Sequence, residues 1–127
     1  EATMTERVIK AISHPEVDIL AHPTGRIINR REPFAMDVDA VLTAAAELGV
    51  AVELNANPNR LDLGDVHVHR ARELGVPVVI STDAHKPEGL DNMRFGVDQA
   101  RRGWLGPADV LNTRSLTEFR EWLNRRA

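Results

Sequence analysis

The chain has 127 residues, of which 43% are hydrophobic and 28% charged, and a formal net charge of −3. These values are those of one ordinary globular domain, and the charge gives no general attraction for a polyanion. Cysteine is absent, which excludes disulfides and thiolate metal ligands and leaves histidine and carboxylates for any metal. No apolar run approaches the roughly 20 residues of a membrane span, so we expect a cytoplasmic protein without membrane contact.

Helical and strand-like patterns alternate along the chain. Helices are expected at about residues 3–12, 38–48, 65–74, 93–102 and 116–123, and apolar strands at residues 17–21, 50–54 and 76–80. Glycines 49, 75 and 103 are placed to end three of the helices, and Ser115 with Glu118 forms a capping box for the last. This alternation predicts parallel βα units of an α/β fold, too few to close a barrel of about eight. We therefore expect half of a larger structure.

Three residues of metal-ligand type follow two of the predicted strands. His22 follows the first strand, and Asp83 and His85 follow the third. Reactive residues of parallel α/β folds gather at these strand ends, and side chains two positions apart point the same way if the segment stays extended. Taken singly, the alternatives are a hydrogen-bonded structural role for His22 and a helix N-cap for Asp83. Convergence of the three residues on one edge predicts a metal site.

The pair His67 and His69 has the spacing of a metal-binding strand but falls inside a predicted helix. At about 100° per residue the two side chains diverge by about 200°, so they do not share an ion. His67 lies on one stripe with Leu63 and Val66 and is expected to face the core. His14 precedes the first strand, at the end opposite the proposed site, and is expected to be structural.

Basic residues lie in the loops at the same end as the proposed metal site. Arg26 is in the loop after His22, Arg60 follows the second strand, and Lys86 adjoins His85. Basic side chains, planar guanidinium groups above all, suit phosphate oxygens. The three residues are therefore candidates for binding phosphate, with a solvated loop as the alternative for each.

Four segments resemble a known family: ILAHPTGR (residues 19–26), ELNANPNRLDL (53–63), STDAHKPEGLDNMRFGV (81–97) and ARRGWLGPADVLNT (100–113). Together they resemble the C-terminal part of the PHP (polymerase and histidinol phosphatase) domain of bacterial family X DNA polymerases, nearly from end to end. STDAH alone would indicate only the PHP superfamily, whereas the other segments are typical of the polymerase X branch.

The resemblance implies a distorted seven-stranded, TIM-like barrel, with residues 1–127 as its C-terminal portion and without the N-terminal half and the polymerase core. It implies three divalent ions in the complete domain, manganese or alternatively zinc, with His22, Asp83 and His85 each matching a ligand of a different ion. The other family ligands would come from the missing half of the barrel. We therefore expect the isolated chain to bind metal weakly and to be inactive.

The family's PHP domain is similar to a manganese-dependent 3′–5′ exonuclease, often with abasic-site endonuclease or 3′-phosphatase activity, so the resemblance implies a module of a DNA repair polymerase. The implied partner is DNA with 3′ ends, gaps or damage, and the implied location is the bacterial cytoplasm, at the nucleoid when DNA is bound. Two alternatives stay open. One is a stand-alone phosphatase on a small phosphomonoester such as histidinol phosphate, and the other is a metal-free PHP scaffold that supports the polymerase.

Overall fold

Three parallel strands form the centre of the structure, a computed structural model that describes residues 2–126. The strands are β1 (Ile19–Leu20), β2 (Ala51–Asn55) and β3 (Val78–Ser81), and they lie side by side in sequence order. The helices of these residues are α1 (Ala2–Ile12), α2 (Val38–Leu48), α3 (Asp65–Leu74), α4 (Met93–Arg102) and α5 (Leu116–Leu123). Short 3-10 helices cover Pro87–Asn92, Pro107–Asp109 and Leu111–Thr113.

The register of the sheet brings the carboxyl ends of the three strands to one edge. Ile19 lies beside Ala51, and Val52 lies beside Val78. The predicted parallel βα organisation is therefore confirmed, while closure of a seven-stranded barrel stays a prediction. None of the helices in the described part of the chain has the length and apolarity needed to cross a membrane.

The central strand β2 is buried along its whole length, because helices and neighbouring strands cover it. Most of its side chains are apolar and join a core cluster whose burial favours folding. The largest fully buried apolar side chains are Ile12, Leu42, Leu54, Leu63, Val41, Val50, Val52, Val68 and Val78. Glu53 and Asn55 are the polar residues of this strand, and burial obliges them to find hydrogen-bond partners.

The helix ends follow the predicted cap chemistry. Gly49 and Gly75 adopt left-handed φ values of 69° and 76°, and their N–H groups donate to the last carbonyls of α2 and α3. Ser115 Oγ accepts from the N–H of Glu118 at 3.1 Å, and Glu118 Oε1 accepts from the N–H of Ser115 at 2.9 Å. The hydrogen bond that the backbone N–H of Ser115 donates to the Glu118 carboxylate holds the pKa of that carboxyl below its usual range. The capping box of α5 is thus confirmed.

Helix α3 turns a different face to the core from the one predicted. Val68 and Ala71 are fully buried, whereas Val66 is 74% exposed. The prediction that His67 faces the core was wrong: it is half-buried and lines a surface cavity together with Val66. The physical reason is that the helix carries apolar residues on two faces, Val66 on one and Val68 with Ala71 on the other, and the second face meets the core.

Asn112 closes the outer edge of β3. Its Oδ1 accepts from the N–H of Ile80 at 2.8 Å, and its Nδ2 donates to the carbonyl of Ile80 at 2.9 Å. The side-chain amide thus supplies two hydrogen bonds that a further strand would otherwise make. Because buried backbone groups need partners, Asn112 contributes to the stability of this edge.

Replacing Asn112 by alanine should lower the free energy of unfolding by about 1–3 kcal/mol, because both backbone groups of Ile80 lose their partner. Urea denaturation followed by circular dichroism measures this difference. Asn59→Ala is the matched control, since Asn59 is exposed and no hydrogen bond of its side chain is found in residues 2–126. Equal losses for the two substitutions would contradict the role given to Asn112.

Candidate functional site

The predicted ligand residues lie at the carboxyl edge of the sheet. His22 follows β1, Asp83 and His85 follow β3, and all three are exposed. His22 and Asp83 have positive φ values of 25° and 56°, which residues other than glycine adopt uncommonly. Such backbone conformations persist only where surrounding contacts hold them, and they cluster at functional sites.

The segment after β3 turns at Asp83, where φ is 56°, so the condition of an extended segment, on which the expectation of two parallel side chains rested, is not met. His85 Nδ1 lies instead 2.8 Å from the carbonyl oxygen of Asp83. A carbonyl only accepts, so Nδ1 is the donor in this contact and Nε2 is the ring nitrogen left for a metal, as in many metal-binding histidines. Lys86 is the N-cap of the next helical turn, which removes the alternative of Asp83 as a helix cap.

Two polar residues of β2 connect the ends of the three strands. Glu53 Oε2 accepts from the backbone N–H of His22 at 2.5 Å, and Glu53 Oε1 accepts from the hydroxyl of Ser81 at 3.0 Å. Asn55 Nδ2 donates to Oδ2 of Asp83 at 3.2 Å and lies 3.5 Å from Glu53 Oε1. His22 and Asp83 are therefore linked through one buried network.

Glu53 and Asn55 were missed as site residues by the sequence reasoning, although a signal was present. Glu53 is a polar residue inside a predicted apolar strand that should be buried on both faces, and Asn55 directly follows that strand. A buried carboxylate or amide is retained where a network satisfies it, so its position marks a place where tertiary contacts converge.

A second buried carboxylate, that of Asp62, holds the loop after His22. Asp62 is fully buried, and its Oδ2 accepts from the backbone N–H groups of Thr24 at 3.1 Å and Gly25 at 2.9 Å. Gly25 has a φ of +68°, and a Cβ there would lie 2.2 Å from the ring of Phe34. Glycine is therefore required for this loop to pack against Phe34.

The three candidate phosphate contacts have different surroundings. The side chain of Arg60 is 19% exposed, and its Nε lies 4.0 Å from Asp83 Oδ2. Lys86 is exposed next to His85. Arg26 donates through Nε to the carbonyl of Arg60 at 2.8 Å and through Nη2 to the carbonyl of Leu61. Two of the Arg26 donor groups are thus engaged in holding a loop.

The His67 and His69 pair lies within α3, as predicted. His69 Nδ1 is 3.1 Å from the carbonyl of Gly103, and its ring makes an edge contact with Trp104 at a centroid distance of 5.4 Å. His14 Nδ1 accepts from the N–H of Glu16 at 3.1 Å in the turn before β1. These contacts support structural roles for His69 and His14.

The donor atoms at the carboxyl edge suit a divalent metal, because imidazole nitrogen and carboxylate oxygen are ligands of manganese and zinc. Within residues 2–126, however, no three His, Cys, Asp or Glu side chains are grouped closely enough to hold one ion. The structure therefore brings His22, Asp83 and His85 to the same edge without gathering them around a single ion.

Comparison with known proteins gives relatives but no matching protein-family model. The chain is 46% identical over 125 residues to the DNA polymerase/3′–5′ exonuclease PolX of Bacillus subtilis. The aligned region covers 98% of this chain and 22% of that protein. A probable phosphatase of Shewanella sp. is 34% identical over 91 residues, covering 67% of this chain and 34% of that protein. A probable phosphatase of Thermoanaerobacter sp. is 26% identical over 128 residues, covering 96% of this chain and 49% of that protein.

The chain spans less than half the length of each of these curated relatives. Its likeness to PolX extends over nearly all of its residues, which confirms the resemblance inferred from the four sequence segments. The chain is therefore similar, over nearly all of its residues, to one segment of a bacterial family X DNA polymerase.

Proposed function

We propose that this chain is the C-terminal portion of a seven-stranded PHP barrel, and that the barrel is the metal-dependent phosphoesterase module of a family X DNA polymerase. The observation that carries the proposal is the buried network of Glu53 and Asn55, which links the loops of His22 and Asp83 at the carboxyl edge. The 46% identity to a protein named as a 3′–5′ exonuclease supports phosphodiester hydrolysis as the reaction.

In this proposal His22, Asp83 and His85 are ligands of three different ions, with manganese preferred and zinc as the alternative. The remaining ligands belong to other parts of the protein. When bound, the ions supply a hydrolytic nucleophile at neutral pH and neutralise the charge that develops on phosphate oxygens.

The chain's own residues hold these ligands in position. Asn55 binds one carboxylate oxygen of Asp83, which leaves the other oxygen for coordination. The carbonyl of Asp83 orients the ring of His85 so that Nε2 is the ligand atom. Glu53 fixes the backbone of His22. Each ligand therefore has a support that this chain supplies.

In this proposal Arg26, Arg60 and Lys86 bind phosphate oxygens of DNA. Arg60 lies beside Asp83, Lys86 is next to His85 in the sequence, and Arg26 has two of its donor groups engaged with backbone carbonyls. Contacts of this kind position a strand but carry no base information. We therefore propose a sequence-tolerant nuclease acting at 3′ ends, gaps or damaged sites, whose substrate binding weakens as salt increases.

A chimera in which this chain replaces the matching segment of Bacillus subtilis PolX tests the ligand assignment. His22→Ala, Asp83→Asn and His85→Ala should each lower manganese-stimulated 3′–5′ exonuclease activity by at least about 100-fold, because the two alanine variants remove a metal ligand and Asp83→Asn removes the negative charge of one. Release of nucleotides from a 3′-labelled primer measures the rate.

His14→Ala is the control, since His14 precedes β1 at the opposite end of the strand, and DNA polymerase activity reports the integrity of each chimera. Full exonuclease activity in Asp83→Asn would contradict the assignment. So would a loss in His14→Ala that equals the loss in the ligand variants.

The relatives named as probable phosphatases favour a second candidate, hydrolysis of a small phosphomonoester. We expect the chimera to hydrolyse a 3′-recessed DNA with a kcat/KM at least about tenfold above that for histidinol phosphate, because DNA offers Arg60 and Lys86 neighbouring phosphates that a monoester lacks. The reverse preference would favour the phosphatase. Absence of metal by elemental analysis of the full-length protein would favour the metal-free scaffold.

A further inference from the structure

The loop that follows His22 contains a tight turn at residues 27–31. Ile27 and Arg31 form an antiparallel bridge, and the carbonyl of Ile27 accepts from the N–H groups of Arg30 at 2.9 Å and Arg31 at 2.8 Å. Asn29 has a φ of 65°, a left-handed value that asparagine tolerates better than most residues. The turn is therefore held by its own hydrogen bonds, and the ligand and phosphate contacts proposed above make no use of it.

The loop that follows β2 holds this turn from outside. The N–H of Ile28 donates to the carbonyl of Asn59 at 2.7 Å. Arg26 Nε donates to the carbonyl of Arg60 at 2.8 Å, and Arg60 Nη1 donates to the carbonyl of Arg26 at 3.3 Å. Because each loop donates to the other, the two loops form one braced unit.

The braced turn stands beside the candidate metal ligands. Its two loops follow β1 and β2 at the carboxyl edge of the sheet, and the first of them begins at His22. In the second loop, Arg60 Nε lies 4.0 Å from Asp83 Oδ2, and Asn59, which accepts from the turn, is the preceding residue. A DNA end bound at these ligands would therefore meet the turn.

The turn carries positive charge that complements the DNA backbone. Residues 26–31 include three arginines and no acidic residue, although the whole chain has a net charge of −3. Arg30 and Arg31 are exposed, and neither side chain has a hydrogen bond or an ion pair within residues 2–126. Their guanidinium groups are therefore available to phosphate oxygens.

Ile28 gives the turn an exposed apolar tip. Its surface is 41% exposed, whereas tight turns are usually built from Gly, Pro, Asn, Asp and Ser. A single exposed apolar residue is ordinary by itself. Here, however, the side chain is β-branched and stiff, and its backbone is fixed by the turn and by the neighbouring loop. Rigid apolar side chains flanked by basic residues are what many DNA-binding proteins insert between stacked bases.

We propose that the 27–31 turn is a wedge that parts the 3′-terminal base pair of duplex DNA. Ile28 inserts against the terminal base pair, while Arg30 and Arg31 hold phosphates of the separated strands. The unpaired terminal nucleotide is thereby led toward His22 and Asp83. The wedge rests on the proposed function, because it requires a DNA 3′ end at the carboxyl edge.

Two DNA substrates separate the opening of base pairs from hydrolysis, one with a fully paired 3′ end and one whose last nucleotides are mismatched. In the PolX chimera, Ile28→Ala should lower the manganese-stimulated release of nucleotides from the paired end at least about tenfold, because a terminal pair then opens without help. On the mismatched end its rate should stay within about twofold of the parent. Ile28→Leu keeps an apolar side chain of similar size and should restore the rate on the paired end.

Leu116→Ala is the matched control for Ile28→Ala, since Leu116 is an apolar residue of α5 with 64% of its surface exposed. It should leave both rates unchanged. DNA polymerase activity again reports the integrity of each chimera.

The salt dependence of kcat/KM on the paired end tests the phosphate contacts. The double variant Arg30→Ala/Arg31→Ala should reduce the slope of log kcat/KM against log salt concentration by about 1.4–1.8, since each lost phosphate contact contributes about 0.7–0.9. Arg7→Ala/Arg120→Ala removes two exposed arginines of α1 and α5 and should leave the slope unchanged.

Equal losses of Ile28→Ala on the paired and mismatched ends would overturn the wedge while leaving the proposed hydrolysis intact, and so would parent-like rates on both ends. An unchanged salt slope in Arg30→Ala/Arg31→Ala would overturn the phosphate contacts of the turn. A parent chimera that releases nucleotides from neither end would instead contradict the proposed function, and the wedge with it.

Discussion

Glu53 is a carboxylate in the middle of the central strand, with 8% of its surface exposed. A charge in such a place is tolerated only when donors surround it. Its donors are the backbone of His22 and the hydroxyl of Ser81, so the strands on both sides of β2 are tied to it. The loops that carry His22 and Asp83 therefore take their positions from a residue that is itself hidden from solvent.

Asp62 is a second buried carboxylate that fixes a loop by accepting hydrogen bonds, here in the next part of the loop after β1. Its carboxylate accepts two backbone N–H groups, those of Thr24 and Gly25, and is fully buried. Together Glu53 and Asp62 hold the backbone on both sides of Pro23. Fixed backbone of this kind is what a metal or phosphate site requires, because ligands must be held close to their productive geometry before the substrate arrives.

The sequence predicts the elements of this fold well, since apolar spacing and the glycines at positions 49 and 75 mark where helices run and end. It also places His22 and Asp83 correctly at strand ends. The buried face of α3 could not be obtained in the same way, because the helix carries apolar residues on two faces, Val66 on one and Val68 with Ala71 on the other, and spacing alone does not show which face meets the core. His67 was misplaced for that reason.

The hydrogen bonds of the network around the site could not be predicted from the sequence, for a different reason. Glu53 and His22 are separated by 31 residues, and Asn55 and Asp83 by 28, so their contacts depend on the order of the strands in the sheet. The left-handed turn at Asp83 likewise departs from what an extended strand end predicts, and it occurs beside the contact with Asn55. Arg26 could be assigned to a loop, but its carbonyl partners depend on how two loops meet.

We propose that His22, Asp83 and His85 are metal ligands held at the carboxyl edge of the sheet by buried polar residues. Anomalous diffraction at the manganese absorption edge, from crystals of the PolX chimera that carries this chain, tests it most directly. We predict anomalous peaks within coordination distance of all three side chains. Peaks beside none of them, or beside His67 and His69 alone, would contradict the claim.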